Sequence, residues 1–334
     1  MPLWIKNSLK LLVLWAALLP VNRALAGVPD AASVSPNAWM NITPGAFPSE
    51  LEFSWATKSA DDATFTVNPL DDILSSAPVT ESLPVPQVQI VKLGPSQDPA
   101  SVIFDGNPLT RTFQGVTLQA FVTQTSSNSP AVTAAAGWYQ DKVTVWGLEP
   151  DSAYAYRVGY GTTWSGNYSF QTRDPRAFTI IAVGDPQIGA QTGGAHEPAG
   201  QVNNVLPYDT SNWQMSVGVM TQAVPNAAFV LSLGDQVDNT SSQSGVDAQY
   251  EGYFSPLQLL GIPVATIDGN HDYGTGPYYG YHYNLPNQSL QYGSTLNGND
   301  GDYWFRYGSA LFMVLNSNNL SASTHDVFLY KTIA

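Results

Sequence analysis

The sequence predicts a two-part chain of mixed class: a β-sandwich over residues 33–174, then an α/β domain over residues 177–334. Two observations carry this. As far as Thr172, short runs of alternating apolar and polar residues are separated by turn signals, the period of strands with one buried face. From Phe178 onward the apolar runs become continuous and lie helix-lengths apart, the pattern of strands covered on both sides. A third observation agrees: charged residues are 11% and aromatics 12%, a balance suited to β-rich, loop-rich architecture outside the cell.

Taken in order, residues 1–26 read as a signal peptide. Lys6 and Lys10 precede the nine-residue apolar run Leu11 to Leu19, and Ala24-Leu25-Ala26 offers a small-x-small cleavage site. The run falls well short of the ~20 apolar residues a spanning helix needs. No later stretch is apolar enough to cross a bilayer, so the mature protein is expected outside the cytoplasm: secreted, periplasmic or on the cell surface.

In the first domain, Leu51 to Trp55, Pro86 to Gly94, Val116 to Val122 and Asp141 to Trp146 read as strands. Lys142 to Gly159 runs strand, Leu-x-Pro turn and Tyr-x-Tyr strand, and Tyr168 to Thr172 closes the domain. Residues 69–86, rich in Pro, Ser and acids, read as an inserted loop. In the second domain the strands are Phe178 to Val183, Ala228 to Leu233, Ile262 to Ile267 and Leu311 to Leu315. Ser211 is a candidate cap for a helix burying Trp213, Val217 and Met220. Ser255-Pro256 reads as a second helix start, with Gly261 near its end.

Three of these strands run into chemistry-bearing clusters: Gly184-Asp185-Pro186-Gln187, Gly234-Asp235-Gln236-Val237-Asp238 and Gly269-Asn270-His271-Asp272. Open α/β sheets gather ligands at the carboxyl ends of their strands. Asp185, Asp235, Asn270 and His271 are thereby brought to one crevice. A glycine before Asp185, Asp235 and Asn270 lets the backbone turn sharply there.

In this order and spacing the three clusters resemble the metallophosphoesterase (calcineurin-like) superfamily. With the sandwich in front, the chain looks most like the purple acid phosphatases. The Lys142–Gly159 stretch resembles the end of a fibronectin type III domain, where a tyrosine ties the corner to the next strand. The resemblance implies a dinuclear centre of two divalent or trivalent ions (Fe, Zn, Mn or Mg) that acidifies water as nucleophile and clamps a phosphate ester. Asp185 would hold the first metal, Asp235 would bridge both and Asn270 would hold the second. His271 would act on the phosphoryl group or the leaving oxygen, with Asp272 fixing its tautomer.

The sequence departs from the family in two places. Most members carry His at the position of Gln187, an amide that binds only through oxygen and more weakly. Purple acid phosphatases carry Tyr at the position of Asp238, which reads here either as a group orienting the site or as a plain loop acid. The family's remaining imidazole ligands would fall beyond Ala334, so the catalytic domain is expected to be incomplete, to bind metal poorly and to hydrolyse little. His325 reads as a helix-start residue outside the ligand set, His282 as structural or substrate-facing, and His196 as a solvated loop residue.

Composition sets the exclusions. The formal charge is −14, and −17 without the three cations of the leader. So acidic a surface argues against nucleic-acid binding. The absence of cysteine removes thiolate catalysis, disulfides and thiolate-held zinc. A phosphoester substrate is the partner that fits. The other readings are a secreted, non-catalytic binding protein with a decayed site, and a carbohydrate-binding adhesin resting on 9 Trp and 17 Tyr.

Overall fold

The computed structural model describes residues 38–58, 66–67, 85–118, 122–124, 132–134, 138–160, 163–190, 205–238, 243–274, 278–289, 291–294 and 301–334. The leader, most of the inserted loop (69–84) and His196 lie outside the described residues. In chain order the front carries β1 (Ala38–Pro44), β2 (Glu50–Lys58), β3 (Thr66–Val67), β4 (Gln87–Lys92), β5 (Arg111–Gln114), β6 (Val116–Leu118), β7 (Val122–Gln124), β8 (Val132–Ala134), β9 (Trp138–Trp146), β10 (Ala153–Tyr160), β11 (Thr163–Trp164) and β12 (Tyr168–Gln171).

These strands build two antiparallel sheets face to face. One has the order β1-β2-β9-β6. The other is β11-β10-β4-β5, with β12 also paired to β10. Ile42, Phe53, Trp55, Val143 and Val145 of the first sheet meet Val88, Ile90, Tyr154, Tyr156 and Phe170 of the second in one apolar core. Burying each such side chain contributes roughly 1.5–3 kcal/mol. The run read as one strand from Val116 to Val122 is split: β6 joins the first sheet, and β7 pairs with β8 in a small third sheet. At the Leu-x-Pro corner, Glu149 N–H donates to the Tyr154 hydroxyl at 2.9 Å.

The alternation of β2 does not mark a solvated face. Glu52 and Ser54, on the side away from the sandwich core, are 6% and 1% exposed. The second half of the chain covers them. Asn284 Nδ2 donates to Glu52 Oε2 at 2.6 Å, Thr43 Oγ1 donates to Asn284 O at 2.5 Å, and Asn41 Nδ2 donates to His282 O at 2.7 Å. Polar side chains are buried here because each has a polar partner across the junction. Tyr156 adds another link, its hydroxyl donating to Leu260 O at 2.6 Å.

The second half contains β13 (Thr179–Val183), α1 (Val205–Ala223), β14 (Ala227–Ser232), α2 (Gln243–Phe254), β15 (Val264–Thr266), α3 (Asn270–Gly274), α4 (Tyr278–His282), β16 (Tyr303–Tyr307), β17 (Ala310–Val314) and α5 (Ala322–Ile333). β13, β14 and β15 are parallel neighbours. The fourth apolar run does not join them. It is β17, which pairs antiparallel with β16. Phe305 and Phe312 of that hairpin pack on Phe229 of β14, with ring centroids 5.4 and 5.3 Å away.

Helix α1 buries Trp213 and Val217 and packs Met220 against the core, but it begins at Val205. Ser211 therefore lies inside it, where its hydroxyl donates to Pro207 O at 2.8 Å. The segment after Ser255-Pro256 is one 3-10 turn, Leu257–Leu260, and the longer helix α2 precedes it. No described helix is long and apolar enough to cross a membrane.

Candidate metal centre

Val183, Ser232 and Thr266 stand side by side in the parallel register, so three loops leave the sheet at one level. The loops then bond to one another. Leu233 N–H donates to Val183 O, Gln187 N–H to Asp235 O and Ile188 N–H to Gln236 O, at 2.7, 2.9 and 3.2 Å. Ile188 and Val237 form a parallel bridge, so the first two loops extend the sheet by one rung.

The sharp turns are made by the functional residues themselves. Asp185, Gln187 and Asp235 have φ of 54°, 40° and 52°, in the left-handed region, and Gly234 has φ of 96°. Asp tolerates this conformation better than most residues, while Gln187 is held there by its surroundings. Gly269 is required for space: a Cβ there would overlap Oδ1 and the backbone nitrogen of Asp235.

Asp185 is exposed and Asp235 buried, and their carboxyl groups are within hydrogen-bonding reach of each other. Desolvation, then the charge of Asp235 and the bond to it, raise the Asp185 carboxyl above the usual range, against a lowering influence from His271. Two carboxylates so close repel unless a proton or cation lies between them. Gln187 Nε2 lies 3.4 Å from Asp235 Oδ2, and a half-turn of the carboxamide presents its oxygen instead. Asn270 is exposed at the head of α3. The adjoining His271 N–H donates to Asp235 Oδ1 at 2.9 Å.

The partner of His271 differs from expectation. Its Nδ1 lies 2.7 Å from Asp238 Oδ1. Asp272 instead turns inward, is 0% exposed, and accepts the backbone N–H groups of Gln236, Val237 and Gly269 at 3.0, 3.3 and 3.0 Å. Successive helical residues point about 100° apart, so the neighbour of His271 in sequence faces the core. Asp272 ties the second loop to the third, and Asp238 fixes the imidazole. His282 is 2% exposed and stacks on Tyr250 with centroids 3.8 Å apart, which makes it structural. His325 lies in α5, bound to Asp302 and Asn319.

The donor set tests the fit of a cation. Asp185 and Asp235, with the carboxamide oxygens of Gln187 and Asn270, are hard donors suited to Mg, Mn, Fe or Zn. Among the described residues no three His, Cys, Asp or Glu side chains converge on one point. The donors that the described residues offer at this edge are thus two carboxylates and two carboxamide oxygens.

Residues 178–328 match the model of a family described as calcineurin-like phosphoesterase. Over those residues the chain is similar to that family. Among solved structures the chain is similar to purple acid phosphatase PPD1 from yellow lupin (Lupinus luteus) seeds, at a TM-score of 0.53 and 18% identity. The match covers 88% of this chain and 48% of the lupin chain. The likeness is one of fold, and the chain spans about half the length of the lupin protein. The comparison with curated proteins returned no match.

Proposed function

We propose that the chain belongs to an exported, metal-dependent phosphoesterase that hydrolyses phosphate esters at a dinuclear centre. The single observation carrying this is the pair Asp185 and Asp235 at adjacent parallel strand ends, with the His271–Asp238 pair beside it. When bound, the cations supply charge to offset the phosphoryl oxygens and acidify the attacking water. Asp185 and Gln187 would hold the first ion, Asp235 would serve both and Asn270 would hold the second.

An ionised Asp238 carboxylate can only accept, so Nδ1 of His271 carries a proton. Nε2 is then the atom that meets the substrate. It donates to a phosphoryl oxygen or passes a proton to the leaving oxygen. Asp272 keeps the second and third loops in register while this happens. The acidic chain gives an anionic ester little attraction of its own, so substrate binding depends on the metals.

The same reading includes a leader ending near Ala26, a fibronectin type III-like sandwich over residues 33–174 and a catalytic domain over 177–334. The Tyr154 corner supports the sandwich assignment. Replacing Asp235 with Ala should abolish both Mn2+ or Zn2+ uptake, followed by calorimetry, and hydrolysis of p-nitrophenyl phosphate. Hydrolysis that survives in this variant would sink the proposal. A second reading, a non-catalytic binding protein, is favoured by the absence of a three-donor cluster among the described residues. Wild-type protein that takes up no divalent cation would select it.

A further inference from the structure

We propose that Asn318 is a positioning residue for the candidate centre, clamped in place by the pair that half-buried His325 makes with buried Asp302. The proposal rests on the reading of the Gly269–Asp272 loop as part of that centre.

Asn318 lies in the turn after β17. Its Nδ2 stands 3.2 Å from each of three acceptors: Asp268 O, Asp268 Oδ2 and Gly269 O. Two hydrogens on that nitrogen satisfy two of the three at a time. The acceptors belong to the two residues directly ahead of Asn270 and His271. Gly269 has no side chain to anchor it, because Asp235 occupies the place of a Cβ. Its position depends on backbone bonds: N–H to Asp272 Oδ2 at 3.0 Å, and carbonyl to Asn318. A shift of Gly269 would carry Asn270 and the His271 N–H, which donates to Asp235, with it.

The turn that carries Asn318 is pinned on both sides. Asn316 N–H donates to Asp302 Oδ1 and Asn318 N–H to Asn316 Oδ1, both at 2.9 Å. His325 Nε2 lies 2.8 Å from Asn319 O, and its Nδ1 lies 2.7 Å from Asp302 Oδ2. A carbonyl and an ionised carboxylate are acceptors only, so both ring nitrogens carry hydrogen and His325 is an imidazolium. Burial works against that charge, but the bonds to Asn319 and Asp302, with Asp326 nearby, raise the imidazole above its ordinary value. Asp302 is 0% exposed, and Gly293, with φ of 71°, leaves it room that any Cβ would fill. A buried carboxylate is tolerated only with such partners. Together these bonds fix the distance between α5, β16 and the third site loop.

The test is amide hydrogen exchange on the full chain, with Mn2+ titration beside it. In Asn318→Ala, exchange at Gly269 and His271 should rise about tenfold, the cost of leaving buried carbonyls without a donor, while α5 keeps its protection. Asn318→Asp, which keeps the size and removes both donors, should do the same if the alanine variant does not fold. His325→Gln should loosen the Asn316 and Asn318 amides. Mn2+ affinity in Asn318→Ala should fall with the local change. Unchanged exchange at Gly269 and His271, or a rise spread evenly over the sheet, would overturn the proposal, since a merely structural role loosens everything. Wild-type protein that takes up no Mn2+ refutes the metal centre instead, and the exchange arm still decides the role of Asn318.

Discussion

Glu52 offers the sharpest quantitative test of the junction between the two halves. It sits in the middle of β2, opposite Thr43 on one side and Thr144 on the other. Its Oε2 accepts Thr144 Oγ1 at 2.7 Å and Asn284 Nδ2 at 2.6 Å. Burial raises the carboxyl from 4.5 to about 7; the Thr144 bond opposes this, Glu50 adds to it and Lys142 opposes it. A carboxyl raised in the folded state is neutral there at pH values where the unfolded chain has already ionised. Its stabilising contribution is therefore complete below pH 4.5 and lost as pH rises through about 7. At 1.36 kcal/mol per pH unit the loss comes to roughly 3 kcal/mol.

Glu52→Gln keeps the size and an acceptor oxygen for Thr144 and Asn284 but never ionises. Urea unfolding followed by tryptophan fluorescence, at pH 5, 6, 7 and 8, gives the free energy of each protein. Other titrating groups, including Asp185 and Asp272, are common to both chains and cancel in the difference. The variant should gain on wild type steadily with pH, by roughly 2–3 kcal/mol between pH 5 and 8. Two parallel curves would refute the reasoning. They would mean that Glu52 is ionised in the junction and that its partners, not its neutrality, keep it there.

Two further substitutions test other parts of the structure. Gly269→Ala places a methyl group on Asp235 Oδ1 and its backbone nitrogen. Backbone cannot yield as a side chain tip can, so the variant should lose about 1–3 kcal/mol and its Mn2+ uptake, read by unfolding and calorimetry. Tyr156→Phe removes the donor to Leu260 O at a fully buried position. A loss of about 1–2 kcal/mol in urea unfolding is expected, and an unchanged midpoint would show that the hydroxyl does not tie the halves together.

The sequence exposed the parts of the fold that rest on local chemistry. Strands such as Phe178 to Val183 and Ala228 to Leu233 were legible because parallel strands read as apolar-rich runs, although only β14 is buried along most of its length and β13 is largely half-buried. The strand-end acids were legible because such a sheet delivers its loops to one edge. The rest depended on tertiary contact. Leu311 to Leu315 reads identically whether it pairs parallel or antiparallel, and only Tyr303–Tyr307 beside it decides. Helix α2 carries Gly252 and few aliphatic residues. It is held by Tyr250, Tyr253 and Phe254, which bury themselves against Trp213 and His282. Glu52 looked solvated because Asn284, which covers it, lies 232 residues away. Asp272 turns away from His271 because successive helical residues point about 100° apart, and Asp238 of the second loop meets the imidazole instead.

The centre is built at a cost to the apo protein. Three residues of the first two loops hold left-handed backbone, and strain of this kind costs of order 1–3 kcal/mol per residue. Asp185 and Asp235 add mutual repulsion, visible in the raised Asp185 carboxyl. Neither feature helps the sheet fold, since β13 and β14 are complete before these loops begin. Cross-loop bonds from Gln187, Ile188 and Asp238 to their neighbours, with Asp272 beneath, hold the arrangement against its own tendency to relax. A site that stores strain and like charge at one point, on a chain already strongly acidic, gains most from a cation. That is the physical reason to assign the pair a metal-binding role ahead of a structural one.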